Sequence, residues 1–326
     1  MAPSREVAVA SAGPSLVESV PSSSSTPAPT QKPQPTAGAA ASTAAPEPAG
    51  TSSTARPATG ADSYDHIFLV VFENHGYSRI VGRPAAPNFN RLIKQGALST
   101  ASHGVTHPSL PNYLAILGGS TFGITTDCSP AACPVNATNL ASLLSAHGRT
   151  WKGYMESMPA RCGTTSTASY AVKHDPFVYF NNIRRTSLCR NVVAYTQLAT
   201  DLRTDATTPR FAFVTPNICN DMHDCSVATG DAWLGRFATR VMNSPAWKTK
   251  RSLLVVTFDE DEGAEGNRIA TFVVGSPVRK SVPAGRRSTV AYNHYNLLRT
   301  LEHYLGVPTL GRADARRAVM TSLIPN

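Results

Sequence analysis

An α/β fold with a central, mostly parallel sheet flanked by helices is what this sequence predicts, on three observations. The runs at 67–72, 211–215 and 252–258 are continuously apolar rather than alternating, the pattern of strands buried on both faces. Segments of helical period lie between them. The same runs stop abruptly in polar donors, and open α/β sheets bind ligands just beyond the carboxyl ends of their strands.

The first strand is Ile67-Phe68-Leu69-Val70-Val71-Phe72, and it ends in Glu73-Asn74-His75. A short helix follows over 86–96, with Phe89, Leu92 and Ile93 on one face and Gly96 as its C-terminal cap. A strand is predicted over 97–103. Leu110, Tyr113, Leu114 and Leu117 then repeat at helical spacing, and Pro111 is tolerated only in a first turn, so this helix begins close to Ser109. A hydroxyl there either caps the helix or faces an anion drawn to the unpaired N–H groups.

Beyond it, Leu140, Leu143 and Leu144 predict a helix and 150–155 a strand, while 156–191 is loop-rich. Phe211-Ala212-Phe213-Val214-Thr215 is another short apolar strand, followed by the donors Asn217, Asn220, Asp221, His223 and Asp224. An amphipathic helix over 231–242 buries Leu234, Phe237, Ala238 and Val241. The strand at 252–258 runs into Asp259-Glu260-Asp261-Glu262, four like charges that would repel at a sheet end without a cation. A strand over 269–274 comes next, and His294 opens the last helix, which carries Leu297, Leu298, Leu301, Tyr304 and Leu305.

Residues 1–63 differ from all of this. They hold ten of the 25 prolines and neither an aromatic residue nor a cysteine, too little apolar surface to offset ordering entropy. They are expected to form a disordered tether, leaving 64–326 as one catalytic domain. All six cysteines fall in that domain. Their spacing suggests three local pairs, 128/133, 162/189 and 219/225, among the 15 connectivities six cysteines allow. Paired cysteines favour an exported or cell-wall protein, although no signal peptide is evident at this start. No apolar stretch is long enough to span a membrane. The net charge is +9 from scattered basic residues, without the basic helix or stacking aromatics of a nucleic-acid module, and suits anionic small substrates or anionic membranes.

Collected, the strand-end and helix-start groups are Glu73, Asn74, Ser109, Asn112, His223, Asp224, Asp259, Glu260 and His294. Hard oxygen donors, histidines and one hydroxyl are the kit for metal-assisted phosphoryl transfer. A cation activates the hydroxyl and neutralises charge, amides hold the equatorial oxygens, and a histidine protonates the leaving alkoxide.

Five blocks bear a resemblance: Val70-Val71-Phe72-Glu73-Asn74, Thr106-His107-Pro108-Ser109-Leu110-Pro111-Asn112-Tyr113, Asn220-Asp221-Met222-His223-Asp224, Leu254-Val255-Val256-Thr257-Phe258-Asp259-Glu260-Asp261 and His294-Tyr295-Asn296. In this order they resemble the phosphoesterase family of secreted acid phosphatases and bacterial phospholipases C, within the alkaline phosphatase superfamily. The resemblance implies an alkaline-phosphatase-like fold and one divalent ion, for which zinc, calcium, magnesium or manganese would serve. Its ligands would be Glu73, Asn74, Asp259 and Glu260, with the nucleophile Ser109 as a further ligand. Thr106 is the alternative nucleophile. His107, His223 and His294 would contact phosphate or the leaving group, and Asp224 would orient a histidine. The expected activity is phosphomonoester hydrolysis through a phosphoserine, by a monomer acting on small phosphorylated substrates such as phosphoinositide or phospholipid head groups. The alternatives are a phosphodiesterase of phospholipase C type and an inactive secreted binding protein. Asp259-Glu260 replaces the Asp-His of two-zinc members, which favours a single ion.

Overall fold

A computed structural model of the chain describes residues 63–279 and 282–325. Apart from Ser63, the expected tether lies outside those residues. Among the described residues, nine strands form one sheet: β1 (His66–Phe72), β2 (Ala97–His103), β3 (Trp151–Met155), β4 (Val192–Ala194), β5 (Phe211–Thr215), β6 (Ser252–Phe258), β7 (Arg268–Gly275), β8 (Arg286–Ser288) and β9 (Tyr292–Asn293). The order is β4-β3-β5-β1-β6-β7-β2-β8, with β9 also on β2. Every pairing is parallel except those of β7 with β6 and β2.

The helices are α1 (Tyr77–Ile80), α2 (Pro87–Gln95), α3 (Ser109–Gly118), α4 (Leu140–Ala146), α5 (Asn181–Arg184), α6 (Gln197–Asp201), α7 (Val227–Asn243), α8 (Pro245–Thr249) and α9 (His294–Leu305). All seven β1 residues are buried, and the strand's alternation divides the six apolar ones between two cores. Ile67, Leu69 and Val71 pack with Leu110, Leu114 and Leu117 of α3 and Leu298 and Leu301 of α9. Phe68, Val70 and Phe72 pack with Phe89 and Leu92 of α2 and Leu234 and Phe237 of α7. Burying one such side chain stabilises the fold by roughly 1.5–3 kcal/mol, so the two apolar faces hold the strands in register. That explains the unbroken apolar run.

The amphipathic helix expected over 231–242 begins earlier, at Val227, because Ser226 caps it by accepting the Thr229 amide. The three cysteine pairs join as the spacing suggested: Cys128–Cys133, Cys162–Cys189 and Cys219–Cys225.

Candidate active site

Register positions the centre of the site. Phe72 of β1 pairs with Phe258 of β6, so the residues that follow, Glu73 and Asp259, emerge side by side. The ladder runs one step further, the Asp259 amide donating to Phe72 O at 2.9 Å. Asn74 has a left-handed backbone, φ 48°, which asparagine tolerates, and its amide donates to Asp259 Oδ1 at 3.1 Å. On the other side of β1, the Glu73 amide donates to Asp221 O at 3.0 Å, tying in the loop after β5.

Ser109 is the first residue of α3 and does not cap it. Its hydroxyl donates to Glu73 Oε2 at 3.0 Å and lies 3.4 Å from Glu260 Oε1. The residue is 1% exposed, but those neighbours are carboxylates, not the apolar core. Thr106 keeps its hydroxyl on the carbonyl of His107, so Ser109 is the hydroxyl that reaches the acidic centre.

Two histidines complete the centre, each backed by an aspartate. His174 Nδ1 donates to Asp221 Oδ2 at 3.1 Å, leaving the Nε2 lone pair 3.3 Å from Glu73 Oε2. Its ring stacks on Tyr113, whose hydroxyl donates to Glu73 Oε1. His223 Nδ1 donates to Asp224 Oδ1 at 2.6 Å, and its Nε2 lies 3.4 Å from Lys173 Nζ. Donor atoms of Glu73, His174 and His223 all fall within 4.8 Å of one another. A histidine that gives one N–H to a carboxylate and turns the other nitrogen inward is the usual posture of a metal ligand.

Burial sets the electrostatics. It pushes the carboxyl of Glu73 well above its ordinary range, and Asp259 and Asp221 add to the shift. It raises Asp259 as well, lifts Asp221 to about 8, and with the neighbouring Asp259 lifts Glu260 to about 9. The same desolvation lowers His174 to about 3, so this imidazole is neutral and available as a donor.

The remaining expected residues have other positions. His107 is exposed, with Nδ1 on Glu260 Oε2 at 2.9 Å and Nε2 3.4 Å from Asp261 Oδ1. Asn112 accepts from the amides of Val105 and Thr106 and donates to Thr106 O, Pro108 O and Glu260 Oε2. It therefore clamps the turn before Ser109. His294 is buried with Nε2 on Asp259 O, where it holds the end of β6; burial lowers it to about 4. Asp261 accepts from the amides of Gly263, Glu265 and Asn267 and shapes the loop after β6. A cleft of about 370 Å³ lies elsewhere, beside Thr150, Trp151 and Pro209 at the opposite strand ends.

Residues 82–308 match the Phosphoesterase family. The chain belongs to the phosphoesterase family. Its enzyme class is thus phosphoester hydrolysis. This phosphoesterase is 41% identical over 262 residues to the phosphatidylinositol-3-phosphatase of Mycobacterium tuberculosis, covering 78% of this chain and 82% of that one. It is 32% identical to the phosphate-repressible acid phosphatase of Penicillium chrysogenum, covering 77% of this chain but 61% of the fungal protein's length. A Vibrio parahaemolyticus protein of the alkaline phosphatase superfamily shares its fold, with TM-score 0.54 and 14% identity over 82% of this chain and 74% of that one. The sequence pattern points to no role for His174 or Asp221. Asp221 stands in one of the family's motifs, but His174 lies in the loop-rich stretch, far from any predicted strand end, and no sequence signal marks it.

Proposed function

We propose that this phosphoesterase is a metal-dependent phosphomonoester hydrolase that works through a phosphoserine at Ser109. The observation that carries the reading is the placement of the Ser109 hydroxyl, at the N-terminus of α3 and against Glu73, which itself adjoins two inward-facing imidazole nitrogens. Relatives named as phosphatases support a monoester rather than a diester substrate. The mycobacterial relative points to phosphoinositide head groups.

The residues fit a divalent cation. Asp259 Oδ2 and His174 Nε2 are both buried without a hydrogen-bond partner, and several carboxyl groups crowd one buried space. Glu73, Asp259, His174 and His223 would hold the ion, with the Ser109 hydroxyl beside them. Of the other expected ligands, Asn74 has a backbone contact to Asp259, and Glu260 faces Asn112 and His107. When bound, the cation would neutralise this acidic cluster and ease ionisation of the nearby hydroxyl.

The protein's own groups supply a proton route. Ser109 Oγ attacks phosphorus while its proton passes to Glu260 Oε1, 3.4 Å away. Burial holds that carboxyl at about 9, so it must first give up its own proton, and once ionised it is a strong base. Its other oxygen contacts His107 Nδ1, and His107, exposed at the mouth, protonates the departing alkoxide. Water then hydrolyses the phosphoserine with His107 as base, while Glu260 returns its proton to the departing Ser109 oxygen. Backbone N–H groups at the start of α3 face the phosphoryl oxygens. Asn112 and His294 position these parts, Asn112 through the turn and His294 through the end of β6. The three disulfides support action outside the cytoplasm.

The test compares p-nitrophenyl phosphate with a phosphocholine diester, before and after chelation and metal add-back. Monoester turnover that chelation removes and a divalent ion restores is the expected result. Turnover of the diester alone, or activity indifferent to chelation, would overturn the reading.

A further inference from the structure

Leu110 is the second residue of α3, and a side chain from a distant loop takes its amide. Asp127 Oδ1 accepts from Leu110 N at 3.0 Å. The other oxygen, Asp127 Oδ2, receives Lys173 Nζ at 2.9 Å. Lys173 also lies 3.4 Å from His223 Nε2 and directly precedes His174. One carboxylate thus bridges a helix-terminal amide next to Ser109 and an ammonium next to the two histidines. A helix-start amide paired with an ammonium is the donor set that phosphoryl oxygens seek. The pair stays in touch with water, the side chains being 27% exposed for Asp127 and 24% for Lys173, so the carboxylate can leave to solvent.

We infer that Asp127 stands where a substrate's phosphoryl oxygens bind, and that phosphate takes over Leu110 N and Lys173 as Asp127 moves off. The inference rests on the phosphomonoesterase reading above and adds which groups receive the phosphate and which internal anion competes for them. It also gives a source of selectivity. The dianionic end of a monoester displaces a carboxylate from an ammonium more readily than the single charge of a diester does.

A structural alternative is that Asp127 only stabilises the start of α3 and steadies Lys173. Two measurements separate these: titration of the metal-loaded protein with inorganic phosphate, and steady-state kinetics on p-nitrophenyl phosphate. With Asp127→Asn, phosphate is expected to bind roughly five- to tenfold tighter and KM to fall by the same factor. Lys173→Met is expected to weaken both by about tenfold. In the double variant the gain from Asp127→Asn shrinks to less than about twofold. Weaker phosphate binding in Asp127→Asn, or a lower kcat at unchanged phosphate affinity, overturns the exchange and leaves the structural alternative. Absence of phosphate binding in every variant overturns it as well. Phosphate titration needs no turnover, so a protein that binds phosphate with this pattern but hydrolyses no monoester sinks the proposed function alone.

Discussion

Two groups of buried acids in this protein share one physical origin and differ in what surrounds them. At the carboxyl ends of β1 and β6, Glu73 and Asp259 lie with Asp221 and Glu260 close by. Near the end of α9, Glu302 faces Asp314, each fully buried. Desolvation raises the carboxyls at the strand ends, and it raises Glu302 to about 9 with help from Asp314. Yet Glu302 and Asp314 accept backbone amides, from Leu310 and Arg312, and each keeps one oxygen without a partner, an arrangement a single shared proton satisfies. Around Glu73 stand two imidazole nitrogens whose own N–H groups are already given to aspartates, and a serine hydroxyl. That group offers lone pairs from several directions, which a cation answers better than one proton does. Buried acidity alone is therefore a poor marker of function; inward-facing lone pairs held by a second layer of carboxylates are a better one.

The largest test of this contrast is Ser109→Ala. Loss of the nucleophile is expected to lower phosphate release by on the order of 10³-fold or more while the Tm stays nearly unchanged, read by colorimetric assay and calorimetry. Unimpaired release would remove Ser109 from the chemistry and with it the distinction between the two acidic groups.

Next come the acids themselves. Glu73→Gln or Asp259→Asn should abolish the rise in Tm that divalent ions produce. In metal-free protein at neutral pH each should leave stability the same or higher, by about 1–3 kcal/mol, because an amide avoids the cost of holding a buried carboxyl in the protonated form there. Glu302→Gln should leave the ion response intact. If it abolished the response instead, the two groups would not differ as described.

A smaller effect concerns pH. Glu73 and Asp259 hold protons more tightly when folded than an exposed carboxyl does, so an ion must displace protons to bind. Stabilisation by a divalent ion, about 2.7 kcal/mol at a hundredfold excess over Kd, should therefore be greater at pH 8 than at pH 5. Thermal melts at fixed ion concentration measure it.

The smallest expected change isolates the second group. A carboxyl whose folded pKa is raised contributes stability that is complete below its ordinary value and is lost as pH climbs through the folded one. For Glu302 that window runs from 4.5 to about 9. Glu302→Gln, which can still accept the Leu310 amide, should flatten the decline of Tm across this range. An unchanged slope would place the proton elsewhere.

Particular residues show how far the sequence could be read. Glu73 and Asp259 were legible because each ends an apolar run, and parallel strands in register deliver their next residues together. The acidic run 259–262 looked uniform, yet its members separate by direction: Asp259 toward Glu73, Glu260 toward Ser109, Asp261 into its own loop, and Glu262 toward the Gly76 amide. Ser109 could be placed at a helix start but not distinguished from a cap, since the choice depends on a carboxylate that arrives from β1. Asn112 and His294 were expected at the phosphate; packing gives Asn112 to the turn and His294 to the main chain of Asp259.

By itself the sequence determined the apolar strands, the polar residues at their ends, the helix beginning at Ser109 and the motifs of the phosphoesterase family, because local pattern and chain order encode all of these. Only the tertiary structure decided that His174 joins Glu73 and His223, that Asp221 stands behind His174, and that Asp127 covers the start of α3. Those contacts link loops far apart in the chain, and side-chain direction in a loop depends on what packs against it rather than on any local period.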